Sequence, residues 1–167
     1  MEVMFKKLHE DAKMPEYASE GAAAFDLFAR TVEKATRKIF DDDGSFMCRD
    51  DYALCQTGLA CAIPKGFVML IFSRSGHGFK YGVRLANCVG VIDSDYRGEI
   101  MVKLRSDIDH PIPLHKGDRV AQAMIVPCPQ VTLLEVEELD ETERGEGGFG
   151  STGDGEVQGR KFFGMPT

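Results

Sequence analysis

The sequence predicts an all-β fold, and two observations indicate it. Breaks rich in glycine, proline or aspartate recur along the chain, and the segments between them are short and rich in β-branched, aromatic and aliphatic residues. In residues 99–105 (EIMVKLR), Ile100, Val102 and Leu104 alternate with more polar neighbours, as on a half-buried strand. Short strands separated by turns about every 8–12 residues are typical of a β-sandwich or barrel.

Eight segments are predicted to contain strands, and one other segment can form a helix. The helical candidate is 31–40 (TVEKATRKIF), which is short. The strand segments, in chain order, are 3–8 (VMFKKL), 23–29 (AAFDLFA), 53–63 (ALCQTGLACAI), 67–72 (FVMLIF), 83–92 (VRLANCVGVI), 99–105 (EIMVKLR), 119–127 (RVAQAMIVP) and 131–136 (VTLLEV).

The length of 167 residues indicates one domain followed by an arm. We assign residues 1–138 to a single β domain. Within it, residues 31–51 are charge-dense around the sequence DDDGS, and we interpret them as an inserted, solvated excursion. Residues 139–167 are rich in glycine and acidic side chains, which predicts a flexible C-terminal arm without a packed core of its own.

Composition excludes several classes of function. The net charge of −7 disfavours a nucleic-acid polymer as ligand, because such proteins present a basic face. No apolar run is long enough to predict a membrane span, and the N-terminal residues MEVMFKKLHEDAK do not resemble a secretion signal. The five cysteines contain no C-x-x-C pair, which indicates reduced thiols. We therefore expect a cytoplasmic protein (in the host cytosol or nucleus if the source is viral) that is not secreted.

Two segments place polar side chains beside apolar strands. In 24–28 (AFDLF), Asp26 lies between two large hydrophobic residues, so its carboxylate either has a buried partner or points to solvent. Residues 73–78 (SRSGHG) combine an arginine and two serines with glycines. That combination suits a phosphate cradle, and it is also found in ordinary surface turns.

Two later segments are equally ambiguous when taken alone. Residues 90–98 (GVIDSDYRG) end an apolar strand in two acids, a tyrosine and an arginine. Asp93 there either lies at the mouth of a site or caps a tight turn. In 117–122 (GDRVAQ), the amide of Gln122 is either a hydrogen-bonding group of the core or a ligand contact.

The glycine-rich stretch 144–153 (RGEGGFGSTG) contains a G-x-G-x-x-G string. A dinucleotide-binding turn needs a strand before this string and a helix after it, but the acidic residues EELDETE precede it. A Walker A loop would need a lysine before the serine, and none is present. Both interpretations are rejected.

The order of these segments is more specific than any one of them. The patterns AxDL, RSG, NxxGxIDxDYxG, GDRxAQ and RGxGGFGSTG follow one another between residues 24 and 153. This series resembles the trimeric dUTPase family, all five of whose motifs are present, and the likeness spans residues 3–153. It implies a jelly-roll-like, distorted β-barrel subunit and a homotrimer with active sites at subunit interfaces. It also implies Mg²⁺-dependent hydrolysis of dUTP to dUMP and diphosphate.

For the nucleoside, the resemblance implies roles for four residues. Asp93 would activate the attacking water and contact the 3′-hydroxyl. The ring of Tyr96 would lie under the deoxyribose and leave no room for a 2′-hydroxyl. Asn87, with Gly90 in the same motif, would help to read the uracil edge. Cytosine would leave buried polar groups unpaired there, at about 1–3 kcal/mol each.

For the phosphates and the metal, the resemblance implies roles for five further residues. Arg74, Ser75 and Gly76 would hold the phosphate chain, and Gln122 would contact the α-phosphate region. Asp26 would touch the water shell of Mg²⁺, an ion that is usually bound largely through substrate phosphates and water.

The glycine-rich stretch would be a mobile lid that one subunit contributes to a site formed by the others. Arg144 would pair with the γ-phosphate, and Phe149 would stack on the uracil ring. Gly148 and Gly150 would let the backbone approach the anion, and Ser151 would add a phosphate contact.

Two alternatives remain open at this point. A dCTP deaminase shares the fold, but it would need a glutamate acid/base near the pyrimidine, for which the sequence offers no candidate. A module that binds a protein partner under nucleotide control would use 31–51 as its contact surface, since that segment is longer than the usual connection in the family. Residues 55–58 (CQTG) and 154–167 also depart from the family pattern.

Overall fold

The computed structural model describes residues 1–40, 46–108 and 112–148. Over these ranges the chain forms strands joined by turns, with one short helix, so the all-β prediction is confirmed. The elements are β1 (Met4–Lys7), β2 (Glu16–Tyr17), β3 (Phe25–Phe28), β4 (Thr31–Phe40), β5 (Phe46–Gln56), β6 (Leu59–Ala62), β7 (Phe67–Phe72), α1 (Ser75–Tyr81), β8 (Val83–Leu85), β9 (Val89–Ile92), β10 (Met101–Ser106) and β11 (Arg119–Pro127).

The strands of the described ranges are arranged in three antiparallel sheets. A five-stranded sheet has the order β2-β3-β11-β7-β9, and a four-stranded sheet has the order β4-β5-β10-β8. The third is the pair β1-β6. Some strands that are consecutive in the chain, such as β8 and β9, belong to different sheets, so the loop 86–88 crosses from one sheet to the other.

Side chains of all three sheets share one hydrophobic core. On β10, Val102 and Leu104 are buried while Met101 and Lys103 are exposed, as their alternation predicts. The largest fully buried side chains include Leu27, and each such leucine contributes about 1.5–3 kcal/mol by leaving water. This core fixes the strand ends on which the candidate site residues lie.

The helix considered for 31–40 is wrong, because the segment forms β4. It pairs with β5 from Thr31↔Gln56 to Phe40↔Phe46, with an irregularity near the tip. The segment is rich in β-branched residues, and backbone pairing over ten positions outweighs its weak helical pattern. The predicted excursion 31–51 is therefore built around a long hairpin.

Two other local predictions are also wrong. The glycine-containing turn at 73–78 leads directly into α1, which ends at Gly82 in the left-handed conformation (φ 59°) that favours glycine. Residues 131–136 form no strand, because no neighbouring strand in the described chain pairs with their backbone.

The chain divides into two compact units, Met1–Gln130 and Val131–Thr167. The first contains every strand and the helix named above. The described part of the second has turns but neither helix nor strand. Among the described residues, no helix has the length and apolar character needed to cross a membrane.

Candidate active site

A buried carboxylate held by two arginines lies at the centre of the candidate site. Asp26 on β3 is only 7% exposed. Arg74 donates from Nε to its Oδ1 at 3.1 Å, and Arg119 Nε lies 3.3 Å from its Oδ2. The two guanidinium groups offset the cost of removing this charge from water. The alternative in which Asp26 points to solvent is therefore excluded.

Gln122 is the direct neighbour of Asp26 across the sheet. It lies on the central strand β11, opposite Asp26 on β3 and opposite Phe72 on β7. Phe72 in turn pairs with Val89 on β9. One row across the sheet thus carries Asp26 and Gln122, and it ends beside the loop that contains Asn87.

Arg74 immediately precedes α1, and Ser75 and Gly76 form the first turn of that helix. Both are exposed, and apart from the adjacent residues and the helix backbone no atom in the described chain lies within 4 Å of the position that a Cβ at Gly76 would take. The carbonyl of Arg74 accepts backbone hydrogen bonds from His77 and Gly78, each at 3.1 Å. This arrangement leaves the surface around Ser75 and Gly76 open to a ligand.

Asn87 and Gly90 line one cavity of about 470 Å³ between β9 and β10. Asn87 is exposed, whereas Gly90 is buried against Ile71, whose Cβ would lie 3.1 Å from a Cβ at position 90. Between them Cys88 has a positive φ of 62°, which turns the backbone sharply at the rim of the cavity. The apolar remainder of the lining includes Leu54, Leu85 and Val102.

Asp93 and Tyr96 lie in the turn beyond the other end of β9. The carbonyl of Asp93 accepts a hydrogen bond from the Tyr96 N–H at 3.2 Å, while its exposed carboxylate has no hydrogen-bond partner among the described residues. The Tyr96 hydroxyl donates to the carbonyl of Glu99 at 3.1 Å. Asp93 lines a second hollow of about 760 Å³, together with Lys65 and Arg97.

Within this chain the predicted site residues of the first unit fall into two groups. Asp26, Arg74 and Gln122 lie near the end of the five-stranded sheet that leads to Asn87. Asp93 lies beyond Ile92, which pairs with Met69, three residues along β7 from Phe72. At about 3.3 Å per residue, these two levels of the sheet are about 10 Å apart.

The remaining predicted residues belong to the second compact unit. Arg144 closes a local turn by donating from Nε to the carbonyl of Gly147 at 2.8 Å, and the Gly147 N–H donates back to the Arg144 carbonyl. Gly148 is exposed. Phe149, Gly150 and Ser151 lie outside the described residues.

Comparison with known proteins identifies the family. The family model described as dUTPase matches residues 10–153. The deoxyuridine 5′-triphosphate nucleotidohydrolase of Hydrogenobaculum sp. (strain Y04AAS1) is 42% identical over 153 residues, covering 92% of this chain and 99% of the relative. The corresponding protein of Caulobacter vibrioides (strain NA1000 / CB15N) is 43% identical over 143 residues, covering 86% and 87%. The chain belongs to the dUTPase family.

Solved structures agree with this family assignment. A mutant dUTPase of Staphylococcus bacteriophage 80alpha with dUpNHpp superimposes with a TM-score of 0.73 at 27% identity, covering 91% of this chain and 98% of that one. The dUTPase of the same phage with dUpNHpp gives 0.69 at 28% identity, with 91% and 98% covered. The predicted jelly-roll-like, dUTPase-like fold class is confirmed.

The surroundings of Asp26 are compatible with a magnesium ion that this carboxylate contacts through water. No group of three or more histidine, cysteine or acidic residues in the described ranges could cage a metal ion. Both carboxylate oxygens of Asp26 already face arginines, which suits contact through a bound water better than direct ligation. Mg²⁺ retains several waters and binds substrate phosphates, so this donor set is compatible with it.

Two residues at the candidate site were not singled out from the sequence. Arg119 stood inside the GDRxAQ pattern, but its contact with Asp26 depends on the register between β3 and β11. His77 lies beside Arg74, and burial, followed by the charge of Arg74, lowers its pKa. No local sequence pattern predicts either contact.

Proposed function

We propose that the protein is a dUTP diphosphatase that hydrolyses dUTP to dUMP and diphosphate. The observation that carries this proposal is the row across the five-stranded sheet in which Asp26, paired with Arg74, lies beside Gln122 and leads to the Asn87 loop. It brings anion-binding groups and a cavity of about 470 Å³ to one end of the sheet in a member of the dUTPase family. We further propose that it acts in the cytoplasm, or in the host cytosol or nucleus if the source is viral.

The phosphate chain would bind at the start of α1. Arg74 supplies a fixed positive charge, and the exposed Ser75 and Gly76 supply a hydroxyl and an unobstructed backbone. Gln122 adds an amide one strand away from Arg74's partner Asp26. Groups fixed in this way stabilise negative charge on the departing diphosphate without having to reorganise.

The uracil ring would enter the cavity lined by Asn87 and Gly90. Because β9 is an edge strand of the described five-stranded sheet, backbone groups on its outer side are available for hydrogen bonding with a base edge. Cytosine presents the opposite donors and acceptors and would leave polar groups of the cavity unpaired, which costs about 1–3 kcal/mol for each group. A methyl group at C5 would exclude thymine by its size.

The reaction would use Asp93 as general base. Its carboxylate is exposed and has no partner in the described chain, so it can accept a proton from a water placed near the α-phosphate. Tyr96, held by its hydroxyl to Glu99, would lie against the deoxyribose and exclude a 2′-hydroxyl. Mg²⁺, held by the phosphates and by water near Asp26, would supply charge neutralisation.

The complete site would require a homotrimer. Within one subunit, Asp93 lies about 10 Å along the sheet from the level of Gln122, which suits a site completed by a neighbouring copy. In the second unit, Leu133 and Leu134 are 88% and 79% exposed, and a neighbouring subunit would cover such side chains. Its Arg144, Gly148, Phe149, Gly150 and Ser151 would close over the nucleotide as a lid.

The decisive experiment is a substrate comparison with the purified full-length chain. Diphosphate release is measured with Mg²⁺ and dUTP, dCTP, dTTP or UTP, and ammonia release is measured with dCTP. We expect diphosphate from dUTP alone. Ammonia from dCTP would instead identify a deaminase, and no turnover of dUTP would reject the proposed activity.

We also propose that the β4–β5 hairpin contacts a protein partner. β4 is a ten-residue edge strand that pairs only with β5 in the described sheet, and edge strands offer unpaired backbone groups to another chain. Because Ala35 pairs with Tyr52, these residues can be joined by Asn-Gly in place of 36–51 while the base of the hairpin is retained. We expect this shortened chain to hydrolyse dUTP normally and to lose partner capture. Loss of dUTP hydrolysis with unchanged capture of the partner would contradict the proposed role of the hairpin.

A further inference from the structure

His77 folds back onto the side chain of Arg74 from the first turn of α1. Its ring Nε2 lies 3.5 Å from Arg74 Nη1, a long contact, while its backbone N–H donates to the Arg74 carbonyl at 3.1 Å. The ring is half-buried, and its Nδ1 is buried without a hydrogen-bond partner in the described chain. No role implied by the family motifs involves this side chain.

The contact with Arg74 determines the protonation state that the ring must have. A guanidinium group only donates hydrogen bonds, so Nε2 of His77 has to accept, and the ring proton then belongs on Nδ1. The pKa of His77 is lowered, first by burial and then by the charge of Arg74, while the carboxylates of Asp118 and Asp26 act in the opposite direction. The neutral ring is thus the form that the surroundings of Arg74 favour.

The guanidinium of Arg74 is fixed along one side. Nε donates to Asp26, and Nη1 faces both the carbonyl of Arg119 at 3.3 Å and the ring of His77. Nη2 has no partner among the described residues. Because Nε and Nη1 both face acceptors, rotation of the guanidinium group is restricted. Nη2 is then available to donate a hydrogen bond to an anion.

We propose that neutral His77 is a positioning residue that holds Arg74 in the orientation needed to bind the phosphate chain of dUTP. This inference rests on the proposed function, in which Arg74 contacts those phosphates. His77 does not itself touch the substrate. Its loss should weaken substrate binding more than it slows the chemical step.

The test compares three substitutions in the full-length protein. His77→Leu removes the acceptor, and His77→Gln can keep one near the place of Nε2. Phe79→Ala alters a side chain of the same helix that is 94% exposed and serves as the matched control. We expect Leu to raise KM for dUTP by about 3–10-fold, the range of one hydrogen bond, with kcat within about twofold of wild type. For His77→Gln and for Phe79→Ala, both KM and kcat should stay within about twofold of the wild-type values.

A second measurement remains decisive if the Leu variant does not fold. Protonation of His77 removes its acceptor, so KM of the wild-type protein should rise below pH 6.5 more steeply than KM of His77→Gln. Because protonation of dUTP itself affects KM of both proteins equally, comparing the two at each pH removes this effect. The proposal is overturned if KM changes with pH in the same way in the wild-type protein and in His77→Gln. It is also overturned if KM is unchanged in His77→Leu, or if His77→Gln is as impaired as His77→Leu.

Arg74→Gln separates this inference from the proposed function. Absence of dUTP hydrolysis in the wild-type protein would reject the function itself. An unchanged KM in Arg74→Gln would reject the role of the arginine. A raised KM in Arg74→Gln together with a normal KM in His77→Leu would reject the role of His77 alone.

Discussion

Arg74 and Asp26 form an ion pair of 3.1 Å between residues that are 48 positions apart in the chain. The pair links the start of α1 to β3, and Arg119 approaches the second carboxylate oxygen from β11. Three of the five motif segments therefore meet at one buried carboxylate. Stability and substrate binding should both depend on it.

Asp26→Asn should destabilise the protein. The amide NH₂ would face one guanidinium group as a second donor. Arg74 would lose its counter-charge in a partly buried place, while Arg119 would keep its exposed pair with Glu16. We expect a loss of about 1–3 kcal/mol in the free energy of unfolding, measured by urea titration. Asp107→Asn is the control, because its pair with Arg84 is exposed and should leave the midpoint unchanged. Equal midpoints for wild type and Asp26→Asn would show that the pair does not stabilise the fold.

Asp93→Asn should separate binding from catalysis. The amide has nearly the same shape but cannot take a proton from water, so kcat should fall by about 10²–10⁴-fold. The Kd for dUTP, measured by equilibrium titration with Mg²⁺, should stay close to the wild-type value. Asp95→Asn, two residues along the same exposed turn, should retain most of the activity. Near-normal turnover in Asp93→Asn would remove this residue from the mechanism.

Much of the fold could be predicted because its strands carry local patterns. The predicted segments 67–72 and 119–127 coincide with β7 and β11, whose apolar runs are bounded by glycine, proline or aspartate. The helix α1 could not be predicted, since Gly76 and Gly78 lower the helix propensity of its seven residues. Residues 31–40 alternate too weakly to distinguish a strand from a helix, and their strand conformation depends on pairing with the next strand along the chain.

The candidate site shows the same division between local and long-range information. Motif order alone pointed to Asp26, Arg74 and Gln122, and the structure brings these three together through strand register. The contact of His77 with Arg74 depends on where a short helix begins, which no local sequence pattern indicates. Segment 131–136 has the composition of a strand, but a strand also needs a hydrogen-bonding neighbour, and the described chain supplies none.

Gly98→Ala should weaken discrimination against UTP. A Cβ at position 98 would overlap the phenol of Tyr96, 2.5 Å from its Cζ, so the ring would have to leave its place over the glycine. We expect the ratio of kcat/KM for dUTP to that for UTP to fall by about tenfold, measured by diphosphate release. Gly21→Ala is the control, because nothing lies within 4 Å of its Cβ position. An unchanged ratio in Gly98→Ala would exclude Tyr96 as the group that rejects the 2′-hydroxyl.

Removal of residues 144–167 should abolish efficient hydrolysis and leave the proposed trimer intact. This truncation removes Arg144 and the glycine-rich segment, whose proposed contacts with the nucleotide would be lost. We expect turnover of dUTP to fall by about two orders of magnitude, with the same elution volume in size-exclusion chromatography. A shorter truncation of 154–167 keeps the motif and should keep the rate. Full activity without 144–167 would contradict the lid.

Alkaline pH should destabilise the fold through Cys55. Its thiol is fully buried between the strands of the four-stranded sheet, and burial raises its pKa from 9.0 to about 11. Because the unfolded chain ionises first, the contribution of the neutral thiol is complete below pH 9 and is lost as pH rises to about 11. The loss amounts to about 2–3 kcal/mol of the free energy of unfolding, followed by urea titration at each pH.

Cys55→Ala isolates this effect from the titration of lysines and tyrosines. The variant should be less stable than wild type below pH 9, because it leaves a small cavity, and the difference should narrow between pH 9 and 11. In the same pH range the exposed Cys88 and Cys128 should react with a thiol reagent in the native protein, while the buried Cys55 and Cys61 should not. A constant difference in stability between the two proteins, together with rapid labelling of Cys55, would show that the thiol is accessible to water and that burial does not raise its pKa.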